Sequence, residues 1–260
     1  MNDSWDVTRV RSFVAVGDSF TEGLDDPYPG GDRFRGWADR VAKRLAETTP
    51  DLTYANLAVR GKLLREIVVG QVPRACELRP DLVSFCGGGN DVLRPSGDPD
   101  ELARIFEAGV RRLRETGARV LIFTGFDTRN VPVLKRLRGR IATYNMNLRA
   151  IADRHDCLLV DQWSMDALQD WRAWGEDRLH MSSEGHRRLA LRVCEVLGLP
   201  VDDDWRAPFP AEPPVPWLDQ RRKDIEWARE FMAPWVNRRL RGQSSGDGRV
   251  AKHNGLGPVQ

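Results

Sequence analysis

The stretch SFVAVGDSFTEG, residues 12–23, sets an apolar run from Ser12 to Val16 directly against Gly17-Asp18-Ser19, a tight turn that carries a hydroxyl. A short apolar run without alternation, bounded by turn residues, is the pattern of a strand buried on both faces. Such strands belong to parallel sheets, so the chain is expected to go on as strand, helix, strand. Four further runs fit: Leu52 to Leu57, Leu82 to Cys86, Arg119 to Thr124 and Cys157 to Val160. Helical periodicity fills the gaps, over Trp37 to Thr48, Leu63 to Leu78, Asp100 to Thr116, Leu137 to His155 and Ser183 to Leu197. Ser182 and Ser183 can cap the last helix, and Gly198 with Pro200 stops it. The expectation is an α/β fold with a central five-stranded parallel sheet wrapped by helices.

Beyond that point the composition changes. Residues 201–217 (VDDDWRAPFPAEPPVPW) read as an extended proline-rich connector. A basic amphipathic helix is expected over Leu218 to Arg241, with Ile225, Trp227, Ala228, Phe231 and Met232 on its apolar side. Its cations Arg221, Arg222, Lys223, Arg238, Arg239 and Arg241 are interrupted by Asp219, Asp224, Glu226 and Glu230. Docking on the chain's own body, or self-association, therefore fits this helix better than a membrane surface or nucleic acid. From Gly242 the glycine- and serine-rich tail is expected to be disordered unless docked. The division is thus one α/β domain over residues 1–200 and an extension over 201–260.

With 40 basic and 38 acidic residues in 260, no global field selects an anionic partner. No run approaches the roughly 20 apolar residues of a membrane-spanning helix, and the first residues do not resemble a secretory signal. Cys76, Cys86, Cys157 and Cys194 lack the paired spacing of a zinc or redox site and read as reduced core residues, which places the protein in the cytoplasm. No cofactor or metal is expected.

In an open parallel sheet, ligands meet the carboxyl ends of the strands. The residues able to do chemistry follow strands here. Gly17-Asp18-Ser19 follows the first, Asn56 through Gly61 the second, Gly87-Gly88-Gly89-Asn90-Asp91 the third, and Asp177-Arg178-Leu179-His180 lies beyond the fifth. These types suit acyl transfer. A serine hydroxyl needs a base, and histidine is the usual one. Of four histidines, His155 precedes a strand, His186 lies inside a helix and His253 sits in the tail, which leaves His180. Asp177, three residues earlier, can accept the imidazole N–H and fix its tautomer. The amides of Ser19 and Gly61 and the side chain of Asn90 can serve as oxyanion donors.

Plainer readings exist for each piece. Gly-Asp-Ser favours turns, Asp18 can cap its own turn, and Asp177 with His180 can be a surface ion pair. The glycine-rich Gly87 to Asp91 loop lacks the lysine and spacing of a phosphate-binding loop. Arg129, Lys135, Arg136, Arg138 and Arg140 read either as a basic rim or as a solvated helix face. Glu22, Asp25, Asp26 and Tyr28 are candidates for the opposite rim, and Trp171 and Trp174 for packing more than for pocket wall.

Taken together, Gly17-Asp18-Ser19, Gly61 after Asn56, Gly88-Gly89-Asn90-Asp91 and Asp177-x-x-His180 resemble the four blocks of the SGNH hydrolases, also called GDSL esterases, in order over residues 11–198. The resemblance implies a three-layer, flavodoxin-like sandwich and a metal-free serine hydrolase acting on acyl esters. Phe20 stands where leucine is common, and Met181 where proline is common. The expected function is hydrolysis of small acyl esters, acetyl or short-chain, through an acyl-serine. Acyl transfer or thioester cleavage at the same site, or a non-catalytic scaffold acting through the C-terminal helix, are the alternatives.

Overall fold

Phe13 and Ala15 of the first strand are buried in one hydrophobic cluster, while Val14 and Val16 are buried in another. This period of two means that the sheet is covered on both faces. In the computed structural model, which describes residues 5–31, 33–131, 134–213, 216–234 and 244–259, β1 (Ser12–Val16) leads into a single turn, α1 (Ser19–Glu22). α2 (Gly36–Thr48) and β2 (Thr53–Asn56) follow. Next come α3 (Leu64–Glu66), a π-helical turn (Ile67–Gln71), α4 (Val72–Leu78) and β3 (Leu82–Phe85). They are followed by α5 (Gly89–Val92), α6 (Pro99–Glu115), β4 (Arg119–Phe123), α7 (Arg138–Arg154) and β5 (Leu158–Val160). α8 (Ser183–Leu197), α9 (Trp217–Trp227) and β6 (His253–Pro258) complete the order.

The sheet runs β5-β4-β3-β1-β2-β6, with β1 to β5 parallel. Trp37, Val41 and Leu45 of α2 pack with Leu189 and Val193 of α8 on one face. Leu64 and Ile67, Phe106 and Val110 of α6, and Leu148 of α7 cover the other. Each such side chain, fully buried, contributes about 1.5–3 kcal/mol, so both layers are needed to hold the sheet. Because β1 is flanked by β2 on one side and β3 on the other, the chain reverses its winding direction there. Such a reversal opens a crevice at the carboxyl ends of β1 and β3.

Three expectations are corrected. The predicted helix from Leu63 to Leu78 is not uniform: Val72 donates to Ile67 O, five residues back, in the π-helical turn. Pro73 explains it, having no N–H for the carbonyl four residues before. The sheet has six strands, not five, because β6 pairs antiparallel with β2. The tail from Gly242, expected to be disordered unless docked, is docked over residues 244–259. There the Lys252 ammonium lies 2.8–2.9 Å from the carbonyls of Glu22, Phe34 and Arg35 and from the Asp39 carboxylate.

The C-terminal helix begins at Trp217, and Ile225 on its expected apolar side is half exposed, while Trp227 is turned toward the body. The predicted helix from residue 235 to Arg241, with Arg238 and Arg239, lies outside the described residues. Cys194 is buried and Cys76, Cys86 and Cys157 are partly so; all four are free thiols. No helix among the described residues is long and apolar enough to cross a membrane.

Candidate active site

Ser19 opens α1 at the end of β1, and the turn is fixed from three directions. Asp18 caps it, its carboxylate accepting from Phe20 N at 3.1 Å. Gln71 holds the preceding residue as a neighbouring strand would, accepting from Gly17 N and donating to Gly17 O, both at 2.9 Å. Asn56 at the end of β2 donates to Thr21 O at 3.0 Å, tying β2 to α1. Gln71 went unread in the sequence, since a polar residue in a helix carries no sign of its long-range partner.

Across the crevice, β3 ends in a glycine loop. Gly88 has φ +92°, and a Cβ there would lie 2.5 Å from the Tyr144 hydroxyl, so only glycine fits. The loop delivers Asn90, whose side-chain amide donates to Asp18 at 3.3 Å and to Lys62 O at 3.1 Å. Burial raises the Asp18 carboxyl to about 6, against the pull of the Phe20 amide and the His180 charge. Asp91 is spent structurally, accepting from Leu64 N.

The loop before α8 carries the remaining pair. His180 Nδ1 is 2.6 Å from Asp177 Oδ2, while Asp177 Oδ1 accepts the amides of Leu179 and His180. With Nδ1–H donated, Nε2 is left as the basic nitrogen. Burial pulls the imidazole pKa down, yet the hydrogen bond and charge of Asp177, with Asp25 and Asp18, outweigh it and hold His180 above its ordinary value. Burial opposes ionisation of Asp177, but bonding to His180 wins and lowers it. Asp25, a rim candidate in the sequence, stands beside this pair. Ligand atoms of Asp25, Asp177 and His180 fall within 4.8 Å of one another, the one such cluster among the described residues. Burial and the neighbouring Asp177 raise the Asp25 carboxyl.

Ser19, Asn90 and His180 line one cavity of about 210 Å³. The Ser19 hydroxyl makes no hydrogen bond among the described residues, so serine and imidazole share the cavity without yet being bonded. Gly61 is not part of the lining. It has φ +74°, and its Cβ position is overlaid by Ser244 of the docked tail. The other histidines are committed elsewhere. His186, lowered to about 4 by burial, accepts from Trp37 N and donates to Leu24 O. His155 contacts Glu107, and His253 of β6 lies against the Tyr54 ring of β2, 5.9 Å between centroids and tilted.

Phe20, Leu24, Phe123, Phe126, Trp174 and Met181 make the cavity wall largely apolar. Trp174 packs in the core as expected, against Phe126, and also lines the cavity, and both unusual residues, Phe20 and Met181, face the cavity. Of the basic segment after β4, Arg129 and Arg138 pair with buried Asp127 and Arg140 bonds the carbonyls of Arg94 and Gly97, while Lys135 and Arg136 are exposed. On the other side Glu22 pairs with Arg60, Asp26 with Arg35 and Arg40, and Tyr28 bonds Asp39.

The fold and the site define an α/β protein with a serine turn, an asparagine loop and a carboxylate-bound histidine gathered at the switch point of its sheet. Residues 15–188 match the GDSL-like lipase/acylhydrolase family, and the chain belongs to it. Esterase TesA of Pseudomonas aeruginosa is 27% identical over 138 residues, which cover 51% of this chain and 66% of that protein, just under two thirds of its length. The fold is shared with solved structures. LAE5, an alpha/beta hydrolase from the metagenome of Lake Arreo, superposes with TM-score 0.60 at 23% identity, covering 74% of this chain and 98% of that one. Axe2, an acetylxylan esterase from Geobacillus stearothermophilus, gives 0.58 at 21% identity, covering 76% and 96%.

Proposed function

We propose that the protein is a serine esterase that cleaves small acyl esters through an acyl-serine intermediate. The Ser19 hydroxyl attacks the ester carbonyl while His180 Nε2 takes its proton, and Asp177 holds the imidazole and stabilises its charge. The amide of Ser19 and the side chain of Asn90 receive the oxyanion, each well-placed donor lowering the barrier by about 3 kcal/mol; Gly61, expected as a third donor, lies outside the cavity lining with Ser244 against it and is left out of this set. For Asn90 this requires giving up its bond to Asp18 or to Lys62 O. His180 then returns the proton to the leaving alcohol, and water repeats the sequence on the acyl-enzyme.

The observation that carries this reading is a carboxylate-oriented imidazole that lines the same cavity as Ser19. Family membership and the names of the esterases above support it. The apolar wall suits the acyl chain, and a cavity of about 210 Å³ is on the small side for a ligand pocket, which favours a short-chain acyl group.

Turnover of p-nitrophenyl acetate by the wild type and by Ser19→Ala tests the assignment. Loss of nearly all activity in the variant is expected. Equal rates would remove Ser19 from the mechanism.

A further inference from the structure

The turn that presents His180 is gripped by a helix lying beyond residue 188, where the family match ends. Arg178, between Asp177 and Leu179, takes a left-handed backbone with φ +55°, a conformation an arginine keeps only where its surroundings impose it. Its guanidinium lies between two indoles, 5.3 Å from the Trp171 ring and 5.1 Å from the Trp227 ring. It also donates to Asp224 at 2.7 Å. Trp227 Nε1 in turn donates to the backbone carbonyl of Asp177 at 2.9 Å. Asp224 and Trp227 are three residues apart on α9, hence on one side of it. One helix side thus holds both the carbonyl of Asp177 and the side chain that follows it.

We propose that α9 is a positioning element for the acid–base pair: Trp227 and Asp224 fix the backbone at Asp177 and Arg178, and so keep the Asp177 carboxylate under His180 Nδ1. The proposal rests on the reading of Asp177 and His180 as the acid–base pair of the esterase. The side chain of Asp177 is committed to His180 and to two amides of its own turn. Its backbone is therefore the part left for an outside element to hold. Misplacing a reacting group by a fraction of an ångström slows the chemical step more than substrate binding.

The experiment uses full-length protein. Trp227→Phe keeps a ring against Arg178 and removes the indole N–H, Trp227→Ala removes both, and Asp224→Asn weakens the hold on the guanidinium. Ile225→Ala, on the exposed side of α9, is the control. For Trp227→Ala we expect kcat on p-nitrophenyl acetate to fall about tenfold or more with KM within about twofold, and for Trp227→Phe a fall of about threefold. The groups facing His180 are Asp177 and Asp25 from the loops, Asp18 at the head of α1 and neutral His186 from α8. Losing the orientation of Asp177 weakens the hydrogen bond and charge that raise the imidazole, so its titration, followed by NMR, should move to lower pH.

Folded Trp227→Ala and Asp224→Asn proteins with wild-type kcat and wild-type His180 titration would overturn the proposal. If Trp227→Ala does not fold, the same outcome in Trp227→Phe overturns it. Activity that survives Ser19→Ala defeats the esterase reading alone, because the His180 titration still decides whether α9 sets the imidazole.

Discussion

In the proposed mechanism His180 must be unprotonated to accept the serine proton, and Asp177, Asp25 and Asp18 hold its proton more tightly than an isolated imidazole would. The sign follows. A raised pKa means that the base is lost as pH falls through a value above about 6.5, so the acid limb of kcat/KM should have its midpoint there. A midpoint between 4 and 5 would point to a carboxylate base instead. Asp177→Asn should move the limb to lower pH and reduce kcat by about 10²–10⁴-fold, since the amide favours the wrong tautomer. Gly88 offers a stability test at the same scale. Its φ of +92°, and a Tyr144 hydroxyl only 2.5 Å from where an added methyl carbon would sit, imply that Gly88→Ala costs about 1–3 kcal/mol, measurable by urea unfolding.

Among the elements, β6 and the segment before it could not be read from sequence. HNGLGP at residues 253–258 has no alternation and no β-branched residue, so nothing local marks a strand. What makes it one is the open edge of β2, whose backbone groups need partners. Lys252 anchors that pairing through nearly buried bonds to three carbonyls and Asp39. Lys252→Met leaves those acceptors and the Asp39 charge without their cation, and should destabilise the protein by about 3–5 kcal/mol; an unchanged thermal midpoint would refute this. The π turn at Ile67–Gln71 teaches the same lesson: Pro73 is visible in sequence, but the bond of Gln71 to Gly17 depends on β1 lying alongside.

At the scale of the whole molecule, the proposed esterase reading makes the cavity that Ser19 and His180 line the place where the acyl group would sit. Phe123 and Trp174 close one part of the wall, and Ile141, Tyr144 and Leu148 of α7 another. If the acyl chain is housed within this cavity of about 210 Å³, rates across a p-nitrophenyl ester series should hold from acetyl to about hexanoyl and fall steeply beyond about eight carbons. Unchanged rates at sixteen carbons would show that the chain leaves the cavity. The parallel sheet, its strand positions and the helices α2, α6, α7 and α8 were legible in the sequence to within about two residues, because buried strands and amphipathic helices carry local periodicity. So were Ser19, Asn90 and His180 as residues that meet, since the switch-point geometry of such sheets puts strand ends together. Only the tertiary structure decided that Asp25 stands beside Asp177, that Ser244 covers Gly61, and that Trp227 holds the histidine turn. Those contacts join segments far apart in the chain, and a pattern confined to a few neighbouring residues holds no record of a partner that distant.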